Sequence, residues 1–163
     1  MKRSHGAHKL VAACALAAAS ALAHAAPAAP AGESADELLT SAAQVLKRID
    51  AGDYTALWQQ TAPFVRSLYT ADRFANGIAQ ARKSVGSVNQ RGWASITRLT
   101  YTQVKDVPDG LYANVDYATR VADGRVVYEK VSFQLGSDGR WHFTGYDPRQ
   151  AQAQAQAQAP AQK

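Results

Sequence analysis

From Leu38 onward the apolar residues recur at helical spacing. Leu38, Ala42, Val45 and Ile49 share one face. Ahead of them Ser34-Ala35-Asp36-Glu37 reads as a capping box, in which Ser34 and Glu37 would satisfy each other's free amide groups. Gly52 is the natural stop. Asp53 then caps a short second helix through Leu57 and Trp58, which Pro63 interrupts. A third helix opens at Thr70, with Phe74, Ile78, Ala81 and Val85 on one side and Gly86 as its end. Beyond Gly86 the period changes. Trp93 to Val104, Leu111 to Val121, Arg125 to Leu135 and Arg140 to Tyr146 are β-branched and aromatic, separated by Pro108-Asp109-Gly110, Asp123-Gly124 and Asp138-Gly139. The pattern predicts an α+β domain in which three N-terminal helices pack on a curved four-stranded antiparallel meander.

The strand register can be read as well. In the second strand Leu111, Ala113, Val115 and Val121 hold odd positions; in the third, Val127, Val131, Phe133 and Leu135 do. A two-residue turn at Asp123-Gly124 would set odd against even and leave no clean face. A three-residue loop, Ala122 to Gly124 with glycine in the left-handed bulge position, pairs odd with odd. Leu111 then meets Leu135, Ala113 meets Phe133, and Val115 meets Val131. On the other face Asp116 meets Lys130, a cross-strand pair of opposite charge. The same loop at Ser137 to Gly139 sets Leu135 against Trp141 and Phe133 against Phe143. The odd face is the one the helices must cover. A curved sheet wrapped round N-terminal helices resembles the NTF2-like or cystatin-like cone, a plan that hosts enzymes and binding modules alike.

Composition narrows the picture. The chain has 163 residues and a formal charge of +5, with 18 basic residues. Three of these, Lys2, Arg3 and Lys9, precede an apolar run from Leu10 to Leu22, and Ala23-His24-Ala25 is a small-x-small cleavage site. These features mark a secretion signal cut after Ala25, which gives a periplasmic or secreted protein with no transmembrane span after cleavage. Without the leader, 15 basic residues face 13 acids, a net charge of +2. Most of the electrostatic motive for a nucleic-acid partner goes with it. Cys14 lies too early in the apolar run for a lipid-attachment site, so it is discarded with the leader. The mature chain then has no thiol for a disulfide, for catalysis or for a metal. Residues 26–33 form an Ala/Pro spacer, and 148–163 an Ala/Gln-rich tail without an apolar anchor. All 14 aromatic residues lie between Tyr54 and Tyr146, so the folded unit should span 34–147.

Candidate chemistry centres on Glu129. It stands on the odd, apolar face between Val127 and Val131, opposite Tyr117. A carboxylate so placed must be paired or become neutral. One reading is a buried ion pair with Arg82 or Arg91, arriving from the helices or the connecting segment. Another is a pocket acid or base with Tyr101 and Tyr117 as hydrogen-bond donors. A third is an edge position where Glu129 reaches water. His142, on an even position beside Gln134, reads as a surface histidine, and Asp53 as a helix cap. No phosphate loop, nucleotide fingerprint, zinc motif or nucleophile elbow is present, and no cofactor is implied.

The chain also resembles an uncharacterised bacterial exported family, domain of unknown function 4019. Asp50-Ala51-Gly52-Asp53-Tyr54 with Trp58, then Phe74, Arg82, Gly86 and Arg91 carry the first half of the resemblance. Pro108-Asp109-Gly110 with Tyr112, Glu129 with Val131, Gly139-Arg140-Trp141 and Gly145-Tyr146 carry the second. The resemblance implies export and these domain limits, and supplies no catalytic residues. The leading expectation is a non-catalytic module binding a small molecule or an envelope protein in a sheet and helix crevice, with Arg82, Arg91 and Glu129 at the site. The alternatives are a small lyase, isomerase or hydrolase using Glu129 with Tyr101 and Tyr117, and a structural envelope protein.

Overall fold

The computed structural model describes Gly32 and residues 34–150. The expected leader with Cys14, most of the expected spacer and the chain from 151 onward lie outside the described residues. Four helices come first: α1 (Ala35–Ala51), α2 (Tyr54–Gln59), α3 (Pro63–Leu68) and α4 (Ala71–Val85). Four strands come after them, β1 (Val88–Tyr101), β2 (Gly110–Val121), β3 (Val126–Leu135) and β4 (Trp141–Arg149), paired antiparallel in chain order. The fold is α+β.

Local chemistry explains the helix limits. Ser34 Oγ accepts the Glu37 N–H at 3.2 Å, and Gly52, at φ +70°, returns its own N–H to the last carbonyls of α1. Asp53 and Thr70 accept from Ala56 N–H and Arg73 N–H in the same way. The helix count corrects the sequence reading. Pro63 does not merely interrupt a helix; it opens one, sitting in the first turn of α3, where its missing N–H costs nothing. Between α2 and α3 the chain lies against β4. Phe143 N–H donates to Gln60 O at 3.0 Å, and Ala62 N–H to Phe143 O at 2.8 Å.

Both hairpins have the expected register. Ala113 faces Phe133, Val115 faces Val131, Phe133 faces Phe143, and Leu135 faces Trp141. Gly124 and Gly139 adopt φ of +86° and +74°, the left-handed conformation the two loops need. The odd residues Ala113, Val115, Val127, Val131 and Phe133 are buried with Leu38, Val45, Ile49, Phe74 and Ile78 of the helices. Burial of this common face is the main force holding helices to sheet.

Two strands depart from the sequence reading. β1 begins at Val88 rather than Trp93 and stops at Tyr101, before Val104. Its opening, Val88-Asn89-Gln90-Arg91-Gly92, is polar because it is an edge strand, and bulges between Val88 and Gln90 and between Trp93 and Ser95 break its alternation. Arg91 is therefore a strand residue, not part of a connection. β4 runs to Arg149 and carries a bulge of its own: Phe133 pairs with Phe143, but Ser132 pairs with Gly145. The extra residue, Thr144, reverses parity, so Tyr146 turns inward although its number is even. The pairing of Asp116 with Lys130 holds in register only. Asp116 takes Arg149 as its ion partner, and Lys130 takes Asp147 at 3.3 Å.

Candidate functional site

Glu129 is fully buried, opposite Tyr117 on β2. Arg91 grips it with two nitrogens, Nε to Oε1 at 2.7 Å and Nη2 to Oε2 at 3.3 Å. Thr119, directly across from Arg91 and also fully buried, donates its hydroxyl to Oε1. Tyr146 donates its hydroxyl to Oε2. Each carboxylate oxygen thus accepts two hydrogen bonds, about the capacity of such an oxygen.

A second acid extends the network toward the surface. Asp50, in the last turn of α1, accepts Arg91 Nη1 at 2.7 Å and Arg82 Nε at 2.7 Å. Arg82 in turn donates to Gly86 O at 2.7 Å, tying the end of α4 to the cluster. Burial works against the Asp50 charge, but hydrogen bonds from Arg91 and Arg82 outweigh it and hold the carboxyl below its ordinary range. Burial likewise opposes the Arg91 charge, and the bonds to Asp50 and Glu129 more than compensate. For Tyr146, burial and the bond to Glu129 act together and push the phenol well above its ordinary value. The result is one connected path, Arg82–Asp50–Arg91–Glu129–Tyr146, joining α1, α4 and three strands. It can clamp the helices to the sheet. Reaching substrate is another matter, because Glu129 has no exposed surface and no vacant acceptor position.

The structure brings Glu129, Arg91 and Arg82 together, the last through Asp50. Tyr117 faces the same side as Glu129, but among the described residues the donors to Glu129 are Arg91, Thr119 and Tyr146. Burial raises the Tyr117 phenol, with Arg91 acting against it. Tyr101 lies at the far end of β1, its ring 5.0 Å from that of Tyr112, away from Glu129. His142 lies on the outer face across from Gln134 and pairs with Asp138 at 3.0 Å. Among the described residues no group of three or more His, Cys, Asp or Glu is placed to hold a metal, and no helix is long and apolar enough to cross a membrane.

Sequence reasoning missed Asp50, Thr119 and Tyr146, and two of them leave a signal. An acid in the last turn of a helix opposes the helix dipole, so Asp50 calls for a cationic partner. A glycine inside a strand, as Gly145 is, often marks a bulge, and a bulge reverses the facing of the strand residues beyond it.

The inner end of this network is also the wall of a groove. Past Ala62 the chain leaves β4 and turns into α3, which opens a cleft between α3, α4 and β4. Its volume is about 750 Å³. Val65, Phe74, Ile78, Gly145 and Tyr146 give it apolar walls, and Tyr69, Thr70, Arg73, Asn76 and Gln80 surround them. Gly77 and Gly145 line it too, and a Cβ on either would meet nothing within 4 Å. A smaller hollow of about 340 Å³ lies beside Arg91, between Leu46, Lys47, Asp50 and Tyr117. There the charged ends of Arg91 and Asp50 are turned on each other.

Fold and site together define a small α+β domain held by a buried ionic cluster, with an open apolar groove at its side. The family model described as "Protein of unknown function (DUF4019)" matches residues 41–146, and the chain belongs to that family. Asp50, Arg82, Arg91, Glu129 and Tyr146, all among the residues that carry the resemblance, are the members of the ionic path. No curated protein and no solved structure matches the chain.

Proposed function

We propose that this protein is an exported, non-catalytic binding module of the periplasm or the medium, built on the NTF2-like or cystatin-like plan, and that its ligand occupies the groove between α3, α4 and β4. The observation that carries this reading is the groove itself. It is apolar, of a size suited to a small molecule, and floored by a tyrosine whose hydroxyl is fixed by Glu129. The bulges in β1 and β4 support the curved plan, since a bulge bends its strand. The saturated hydrogen bonding of Glu129 favours binding over catalysis: a general base needs a free lone pair within reach of a substrate proton.

Gly77→Leu tests the site. The side chain would project into the groove and block it, and the helix would lose its least favourable interior residue. Purified wild-type protein should enhance the fluorescence of the neutral apolar dye N-phenyl-1-naphthylamine saturably, and Gly77→Leu should not, while melting at the same temperature or higher. Wild-type protein that leaves the dye dark would sink the groove as a binding site. Export is tested separately, by N-terminal sequencing of protein from the periplasmic fraction, with Ala26 as the expected first residue.

A further inference from the structure

At the mouth of the groove Arg73 stands in an unusual position. It lies in the first turn of α4, where the helix dipole disfavours a cation. Its guanidinium carbon sits 5.7 Å from the centre of the Tyr69 ring, a cation–π arrangement that orients it without neutralising it. Among the described residues no carboxylate pairs with it. Asp72 also lines the groove, but it makes no ion pair with Arg73, and its charge is favoured where it is, at the start of the helix. Beside this cation the apolar surface continues outward. Leu68 and Tyr69, at the end of α3, are 61% and 45% exposed, two of the five large hydrophobic residues so placed among the described residues. An apolar cleft, an exposed apolar lip and an oriented cation with no carboxylate partner among the described residues thus meet at one place.

We propose that the groove takes a free amphipathic carboxylate, its hydrocarbon body against Phe74, Ile78 and Tyr146 and its carboxylate on Arg73 at the α4 N-terminus. This rests on the groove reading above and adds the chemistry of the ligand. A guanidinium matches a carboxylate with parallel N–H donors, and although Thr70 already caps the Arg73 amide, the dipole at the start of α4 acts in the same sense. The groove volume is ample for a fatty acid or an aromatic acid of similar size.

The test compares dodecanoate with dodecanol at neutral pH, each displacing N-phenyl-1-naphthylamine from the purified protein. Dodecanol is the more apolar of the two, so a groove without a cation would prefer it. Wild type should instead bind dodecanoate tighter by about tenfold, the scale of one charge-assisted contact. Arg73→Gln should abolish that preference, Arg73→Lys should retain part of it, and 1 M salt should reduce it. Phosphatidylglycerol vesicles provide the other source of an acyl-borne anion, and wild type should not sediment with them. Equal affinity for acid and alcohol, a preference that survives in Arg73→Gln, or binding to vesicles alone would each overturn the carboxylate proposal while leaving the groove intact. Refusal of the neutral dye would instead remove the groove reading beneath it.

Discussion

Arg91 on the edge strand reaches across β2 to hold Glu129 on β3, with Nε 2.7 Å from Oε1. The two residues belong to strands that are not neighbours in the sheet, and Thr119 on the strand between them donates to the same oxygen. The pair therefore locks three strands at one level. Through Asp50 it also locks the end of α1 to them. A buried ion pair contributes little net stability compared with apolar residues of like shape, but losing one member leaves the other stranded.

Glu129→Gln keeps the shape and removes the charge, and it forces an amide N–H₂ against donors. It should destabilise the protein by about 3–5 kcal/mol, the usual cost of breaking a buried ion pair. Urea unfolding measures this. Adding Arg91→Met to Glu129→Gln should cost far less than the two single changes summed, because the guanidinium that the new amide opposes is then gone. Wild-type stability in Glu129→Gln would show that the carboxylate is not an obligatory partner of Arg91.

Asp50 governs the acid side of the stability curve. Its folded carboxyl lies below the ordinary value of 3.8, because the Arg91 and Arg82 hydrogen bonds overcome its burial. A depressed carboxyl contributes stability that is complete above the unfolded value and disappears as pH falls through the folded one. Melting temperatures recorded downward from pH 6 should therefore fall less steeply in Asp50→Asn than in wild type once the pH passes below about 4. At neutral pH the variant should be the less stable of the two. Parallel acid limbs would mean that Asp50 is no more tightly held than a surface acid.

How far the sequence disclosed this arrangement depends on how local each cause is. The β2–β3 and β3–β4 registers were legible, because an odd-position stripe and a glycine at the loop's left-handed position admit one pairing. From that register came the inward facing of Glu129, and a need for an arginine that Arg91 meets directly and Arg82 through Asp50. Tyr146 was not legible, since one inserted residue, Thr144, reverses the facing of every later residue in β4. The start of β1 escaped for the reason edge strands often do: with one side unpaired and two bulges, it has no apolar alternation to read. The α3–α4 groove was beyond reach for a different reason. It is set by where the chain departs from β4 after Ala62, a tertiary event with no pattern in sequence.

Tyr146 governs the alkaline side. Burial and the bond to Glu129 raise its phenol in the folded state. A group raised on folding contributes stability present below its unfolded value and lost as pH climbs above it, here from about pH 10. Tyr146→Phe should cost about 1–3 kcal/mol at neutral pH, the range for a hydrogen bond to a charged group. Its melting temperature should also fall less steeply above pH 10. Tyr112 and Tyr117, raised by burial, preserve part of the slope in the variant. In ultraviolet titration of wild type one phenol should ionise only on unfolding, and that late step should vanish in Tyr146→Phe.

Gly77 bears on whether the groove is kept open at a cost. It occupies the interior of α4, where glycine is about 1 kcal/mol less favourable than alanine. Neither a close packing partner nor a positive φ requires it: a Cβ would meet nothing within 4 Å, and the backbone is helical. Gly77→Ala should therefore stabilise the protein by about 1 kcal/mol in urea unfolding. Gly124→Ala, at φ +86° with equally open surroundings, should destabilise by a comparable amount, because only the backbone conformation separates the two sites. If Gly77→Ala gains stability and still takes the dye, while Gly77→Leu gains stability and does not, then Gly77 serves to leave room for a ligand. If alanine at 77 destabilises, the glycine answers a demand of the helix itself, and the groove is a by-product of that demand.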